Sequence, residues 1–334
     1  MLIHHARPHT QDNAPKESVA RGTGPTSGRV TTALTGTIHG METHENSVGK
    51  LLVIDGGYAT HRAFHALSSS GLSRSDGAPI WALHGFFISL AKLVAMRRPT
   101  HLLVAMDAPG GCPTRRDMLP QYKSNRTAPK PEFVSQAAEL ALLLEESGVP
   151  THTVPGWEAD DIIASAASLA EASSLSCEIF SADRDLYQTL SDRVRVVRID
   201  GTTLGPSDVL ERYGCSPKRY IELAAMRGEA ADCITGVPRV GEKTAAKVVS
   251  SFPSFESALD AASGLESVVP PKVAALIREH ADVVRRNIQV ATLRTDLAVD
   301  LSRCTLPLDE VRLAKALRKA ELPAAASALA NACG

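Results

Sequence analysis

The chain has 334 residues, of which 44% are hydrophobic and 22% charged, the proportions of a globular protein large enough to hold a catalytic cleft. Its 36 basic residues against 37 acidic ones leave a net charge of −1, which excludes a uniformly basic nucleic-acid binder. No apolar run reaches the roughly 18 residues that span a bilayer. Six scattered cysteines without a C-x-x-C pair exclude a zinc ribbon or a disulfide framework, so a cytoplasmic setting is expected.

Residues 1–49 are rich in Thr, Gly, Pro and His and carry no apolar period. Such a segment buries too little surface to offset the entropy of ordering, so a disordered extension is expected, with Met41 as a candidate translation start. From Leu51 the pattern becomes regular. Strands are predicted at 51–55, 101–107, 177–183 and 194–199, with an extended piece at 151–154. Helical apolar patterns fall at 80–96 and 131–147, and another helix starts near Trp157. Strands alternating with helices predict an α/β fold, a mostly parallel sheet flanked by helices. After Pro206 short helices take over to about residue 295, and the Leu/Ala-rich end, 296–334, is predicted to be a helical tail. The expected division is therefore 50–205, 206–295 and 296–334.

Three of the predicted strands end in Asp55, Asp107 and Asp183. In open parallel sheets ligands bind beyond the carboxyl ends of the strands, so these acids converge on one crevice. Asp185 shares the face of Asp183 if the strand continues. Glu158, Asp160 and Asp161 open the helix near Trp157, and Glu229 and Asp232 have the spacing of one helical turn. One acid in a first turn does no more than complement the helix dipole. The set is different. Two carboxylates about 5 Å apart repel by roughly 3 kcal/mol at an effective dielectric near 20, which cations must offset. Oxygen donors without His or Cys suit Mg²⁺ or Mn²⁺, and two such ions can activate water and hold both oxygens of a phosphodiester displacement. Charge patterning agrees. Residues 97–130 hold seven basic residues against two acids, whereas 155–190 hold seven acids against Arg184 alone. A polyanion gripped by its phosphates beside an acidic pocket fits that pattern.

The motifs carry a resemblance. Leu52-Val53-Ile54-Asp55-Gly56-Gly57 running into Tyr58, Arg62, Ala63, Phe64 and His65 resembles the opening of the bacterial 5′→3′ exonucleases, the flap endonucleases found alone or at the N-terminus of DNA polymerase I. Gly156-Trp157-Glu158-Ala159-Asp160-Asp161 is similar to the family's G-x-E-A-D-D, and Ser181-Ala182-Asp183-Arg184-Asp185-Leu186-Tyr187-Gln188 to its T-x-D-K-D-L-x-Q. Tyr122-Lys123-Ser124-Asn125-Arg126 matches Y-K-x-x-R. The stretch Gly236-Val237-Pro238-Arg239-Val240-Gly241-Glu242-Lys243-Thr244-Ala245 resembles G-V-P-G-I-G-x-K-T-A. The motifs run in family order over residues 51–295. A Walker loop is a poor alternative for the last of them, because Gly241 and Lys243 are not adjacent.

The resemblance implies a PIN-like nuclease domain with a helical arch near 113–130 and a helix–three-turn–helix DNA-binding subdomain. It implies hydrolysis of 5′ flaps, nicks or RNA primers in replication and repair. It places Asp55, Asp107, Glu158, Asp160, Asp161, Asp183, Asp185, Glu229 and Asp232 as ligands of two or more divalent ions, with K⁺ at the hairpin. Lys123, Arg126, Arg62 and one of the paired arginines, Arg116 in preference to Arg115, take phosphate-handling roles in catalysis. Tyr122 is placed to stack on an unpaired base. Gly236, Val237, Arg239, Gly241, Lys243, Thr244 and Lys247 are placed at the duplex backbone. Implied partners are flapped, nicked or gapped DNA and RNA–DNA hybrids, with a DNA polymerase I and a ligase acting on the same intermediates. A nucleoid-associated monomer with no membrane contact is expected.

Several positions depart from the family pattern. Glu229 stands where an Asp is usual and reaches one methylene further. Cys233 replaces an Asn, and Arg239 replaces a Gly, which disfavours a positive φ there. The stretch from Asp107 to Arg116 is one residue longer than usual. Two other readings follow: a catalytically weakened DNA-junction-binding protein, and a PIN-type ribonuclease.

Overall fold

Strand β1 (Lys50–Asp55) is buried along nearly its whole length and sits in the middle of a six-stranded sheet. Its side chains alternate between two cores, as the period of a strand requires. Leu51 and Val53 enter one core, together with Leu103 and Ile179, while Leu52 and Ile54 enter the other, with Leu102, Val104 and Phe180. Burial on both faces explains why the strands read as continuous apolar runs. The computed structural model describes residues 49–333 except residue 262. The expected N-terminal extension and the Met41 start lie outside them.

The sheet order is β3-β2-β1-β4-β5-β6, with β2 (His101–Ala105), β3 (Thr151–His152), β4 (Ser176–Phe180) and β5 (Val194–Val197) all parallel. Strand β6 (Thr203–Leu204) is antiparallel to β5, and its two residues leave no sequence signal. From β1 the chain winds outward to β2 and β3, then returns to place β4 on the other side of β1. The boundary between β1 and β4 is thus the topological switch point where a ligand crevice opens.

Two helix layers cover the sheet. On one face lie α1 (Gly56–Leu67), α2 (Trp81–Arg97) and α4 (Pro131–Ser147). The C-terminal α13 (Glu310–Lys319) and α14 (Pro323–Cys333) complete that layer, with α14 along α2 and α13 against α4. The expected tail is therefore part of the core, through Leu313, Leu317 and Leu329. On the opposite face α5 (Ala159–Ala172) joins the helical region: α6 (Pro206–Tyr213), α7 (Tyr220–Arg227), α8 (Glu242–Ser251), α9 (Phe255–Asp260), α10 (Gly264–Val268), α11 (Pro271–Glu279) and α12 (Ala281–Ala291). A short ribbon, β7 (Gly228–Glu229) with β8 (Ile234–Thr235), links α7 to the hairpin before α8. Among the described residues no helix is long and apolar enough to cross a membrane.

Two expectations need correction. The arch is helical only in α3 (Pro113–Met118); turns and coil follow to Lys130. Pro120, which lacks an amide hydrogen and disfavours helix at Leu119, accounts for the stop. Strand β2 ends at Ala105, short of Asp107, and strand β4 ends at Phe180, not at Asp183. The Asp183 amide donates to Ser181 Oγ (3.1 Å) and the Asp185 amide to Asp183 Oδ1 (2.8 Å), so side-chain turns replace the ladder. Asp185 reaches the site by that turn rather than by continuing the strand.

Candidate active site

The acids gather at the carboxyl end of the sheet. Asp55, at the end of β1, accepts the Tyr58 amide (2.9 Å) and the Ser181 hydroxyl (2.7 Å), which ties the β1 terminus to that of β4. Asp107, two residues past β2, accepts the Ala159 amide at the start of α5 (2.8 Å). With Asp160 and Asp183 these two line an open pocket of about 560 Å³. Asp185, Asp232 and Glu229 stand on its hairpin side, near enough for their charges to act on Asp183.

Electrostatics identify this as a site of uncompensated charge. Burial pushes the Asp55 carboxyl up to about 6, outweighing the hydrogen bonds from Tyr58 and Ser181, and the charges of Asp107 and Asp183 add smaller upward pressure. Burial and the charges of Asp183, Asp232 and Glu229 push Asp185 up to about 7. Asp160 is raised well above the usual carboxylate range by burial, then by Asp183 and Asp55. Among the described residues no three of these side chains already form a closed cage of donors; they stand around the pocket. An all-oxygen donor set whose members raise one another's proton affinity fits a hard divalent cation.

A pH signature follows. A carboxyl raised in the folded state holds its proton more tightly there than in the unfolded chain. Its stabilising contribution is complete below about pH 4 and is lost as pH climbs through the folded value of about 7. In EDTA, Asp185→Asn should melt several degrees above wild type at pH 8, and the gap should narrow toward pH 5. Equal melting temperatures at both pH values would remove Asp185 from the repulsive cluster.

Not every expected ligand faces the pocket. Asp161 is fully buried and forms a bidentate pair with Arg115, at 2.7 and 2.8 Å, while accepting the Glu158 and Arg294 amides. Its lone pairs are committed to the fold, so the structure corrects its assignment as a ligand. Arg115, 3% exposed, also donates to Glu158 (2.9 Å), so of the paired arginines it is the one held inside the fold. Its neighbour Arg116 stays exposed on a second pocket beside Lys123 and Arg126, its guanidinium touching the Gly110 carbonyl. Glu158 is nearly saturated: Arg115, the Tyr122 hydroxyl (2.9 Å) and Lys123 Nζ (2.6 Å) all donate to it. Tyr122 is only 8% exposed, its ring in an apolar cluster with Leu119, Ile221 and Ile234. That burial corrects its placement as a base-stacking residue. Arg126 is exposed and pairs with Asp232 at 3.1 Å. Glu229 turns toward Arg227 (2.6 Å) instead of the pocket. Arg62 does not line the pocket; His61, one position earlier on α1 and stacked on Phe133 at 4.0 Å, does. On a helix, Gly57, Tyr58 and His61 share the face that Arg62 turns away from.

The hairpin is divided in the same way. Val237 is core, with its amide spent on the Met226 carbonyl (2.8 Å). Gly236 is held against the ribbon, where a Cβ would come within 2.5 Å of the Gly228 backbone nitrogen. Both shape the hairpin, and Val237 spends its amide inside the fold rather than presenting it outward as expected. Arg239, Gly241, Lys243 and Lys247 are exposed, and Thr244 is half-buried. Arg239 takes φ 67°, the left-handed region it was expected to avoid, at a cost of about 1 kcal/mol. Arg239→Gly should therefore raise the melting temperature by about 2–4 °C while weakening duplex affinity, measured by thermal unfolding and by titration with duplex DNA.

A doubly covered parallel sheet with carboxylates massed at its switch point, basic residues above them and a helical hairpin beside them defines a class: a PIN-like α/β scaffold that carries a carboxylate cluster. Two family models match adjoining stretches of the chain. The 5′-3′ exonuclease N-terminal resolvase-like domain covers residues 50–214, and the 5′-3′ exonuclease C-terminal SAM fold covers 215–314. The chain belongs to the 5′-3′ exonuclease family. It is 36% identical over 254 residues to the thermostable DNA polymerase I of Thermus thermophilus, covering 76% of this chain and 30% of that one. It is 34% identical over 258 residues to DNA polymerase I of Bacillus subtilis, covering 76% and 29%. The chain thus spans less than a third of the length of these relatives. Among solved structures it resembles the T5 D15 protein co-crystallised with metal ions, with a TM-score of 0.60 at 19% identity over 85% of this chain and 100% of that one. It also resembles human GEN1 in complex with Holliday junction DNA, with a TM-score of 0.53 at 17% identity over 84% and 72%.

Proposed function

We propose that this chain is a structure-selective 5′ nuclease that hydrolyses phosphodiesters of 5′ flaps, nicks or RNA primers. The observation that carries the reading is the gathering of Asp55, Asp107, Asp160, Asp183 and Asp185 at one end of the sheet, where burial and then neighbouring carboxylates hold Asp55, Asp160, Asp183 and Asp185 above the usual carboxylate range. Asp55, Asp107, Asp160 and Asp183 would hold one divalent ion, Mg²⁺ or Mn²⁺, and Asp183, Asp185 and Asp232 a second. Bound there, such ions supply an activated water and neutralise charge on the phosphoryl oxygens. The remaining work falls to side chains. Lys123, on its pocket-facing turn, gives its ammonium to the scissile phosphate on leaving Glu158, and Arg126 and Arg116 orient the neighbouring phosphates. His61 and Phe133 close the pocket wall. Lys243, Lys247 and Arg239 hold the duplex by its backbone without reading bases, and K⁺ at the hairpin is part of this proposal. Retention of the acids around one pocket favours an active nuclease over a weakened junction binder.

The deciding experiment incubates 5′-labelled flap, nicked, single-stranded DNA and RNA substrates with the protein in Mg²⁺, Mn²⁺ or EDTA. Release of short 5′ fragments from flap and nicked duplexes, only with metal, is expected. Preference for single-stranded RNA would favour a PIN-type ribonuclease. Tight junction binding without cleavage would favour a binding protein.

A further inference from the structure

Arg184 lies between Asp183 and Asp185 in sequence, yet its guanidinium pairs with neither and joins a closed ring of charges. Its Nη2 is 4.0 Å from Glu229 and its Nη1 is 3.5 Å from Glu242. Arg227 completes the ring, 2.6 Å from Glu229 and 3.3 Å from Glu242. Each carboxylate thus sits between two arginines, and the ring is neutral. Arg227 is its anchor, with a side chain only 13% exposed and hydrogen bonds to the Tyr220 hydroxyl (3.3 Å) and the Gly228 carbonyl (3.1 Å). Glu242 belongs to the first turn of α8, next to Lys243. The loop carrying Asp183 and Asp185 is therefore tied to the hairpin helix through Arg184.

We propose that Arg184 is the positioning residue of the acid cluster and that Glu242, on the hairpin helix, sets through it how tightly a divalent cation binds at Asp183 and Asp185. Isolated exposed pairs contribute little, but here the ring is fixed at Arg227, so its members act together. Glu229 accordingly serves as the ring's inner carboxylate. Its extra methylene, relative to the Asp expected there, carries it to Arg227. The turn through Ser181 and Asp183 holds one side of the loop against the repulsion between Asp183 and Asp185, and Arg184 holds the other. Phosphates arriving beside Lys243 compete with Glu242 for the same guanidinium, which links duplex grip to cation affinity.

The inference rests on the reading of Asp183 and Asp185 as metal ligands, and the test separates the two. The full chain, free of nucleic acid, is titrated with Mn²⁺ alone by calorimetry. Glu242→Gln and Arg184→Gln should each weaken Mn²⁺ binding by about 3- to 10-fold, the double substitution should be no worse than Arg184→Gln, and Arg184→Lys should recover part of the loss. Glu256→Gln, at an exposed pair with Arg285 remote from the ring, should bind like wild type. Because the side chains of Arg184 and Glu242 are 40% and 39% exposed, the folded state survives either change. Wild-type Mn²⁺ affinity in Glu242→Gln and Arg184→Gln would overturn the positioning role. Unaltered binding in Asp183→Asn would overturn the metal reading instead.

Discussion

Asp183→Ala should abolish cleavage of a 5′-flap substrate by roughly a thousandfold or more, equal to about 4 kcal/mol of lost transition-state stabilisation, while leaving the fold intact. Asp183 is the carboxylate common to both halves of the cluster: it lines the pocket with Asp55 and Asp160, and it raises Asp185 on the hairpin side. Removing it costs the folded protein one backbone partner, the Asp185 amide, and relieves repulsion on three neighbours. The melting temperature in EDTA should hold steady or rise. Duplex affinity, measured in Ca²⁺, should persist through Arg239, Lys243 and Lys247. Cleavage within tenfold of wild type would show that the cluster is not the reaction centre.

The sheet was legible in the sequence because its strands are buried on both faces and read as apolar runs with acids at their ends. The site was legible for the same reason: Asp55 ends β1, and Asp107 and Asp183 lie two and three residues past β2 and β4, where converging strand ends bring them together. What could not be read is how each side chain spends its lone pairs. Glu158, Asp160 and Asp161 are one motif in sequence, but the turn that starts α5 sends Asp160 to the pocket, buries Asp161 against Arg115, and leaves Glu158 shared among Arg115, Tyr122 and Lys123. Those partners lie 35 to 46 residues away, and no local pattern encodes such a meeting. The placement of Arg239 shows the opposite limit. Its side chain argues against a left-handed backbone, yet the hairpin between buried Val237 and Val240 imposes one. Likewise, the Leu/Ala-rich end reads as helix, but nothing local reveals that it closes the core beside α2.

Asp161 provides the sharpest contrast with Asp183, because the same substitution should act by a different route. Asp161→Ala strips a fully buried arginine of its bidentate partner and leaves the Arg294 and Glu158 amides without an acceptor. Breaking a buried pair by removing one member costs about 3–5 kcal/mol, chiefly through the charge left behind. The melting temperature should fall by on the order of 10 °C, with or without metal. Glu158 limits the damage, since it still contacts Arg115 at 2.9 Å. Arg115→Met should destabilise similarly, now by stranding the Asp161 carboxylate. The double substitution Arg115→Met with Asp161→Asn should cost less than the sum of the two single changes, because it leaves no unpaired charge and keeps an acceptor for the Arg294 amide. At low temperature the folded fraction of Asp161→Ala should retain cleavage, whereas Asp183→Ala should have none. An Asp161→Ala protein that melts like wild type and is inert would return Asp161 to the ligand set and make the Arg115 pair incidental. Thermal unfolding and single-turnover cleavage of one flap substrate, run on the same preparations, distinguish a strut from a ligand within one motif.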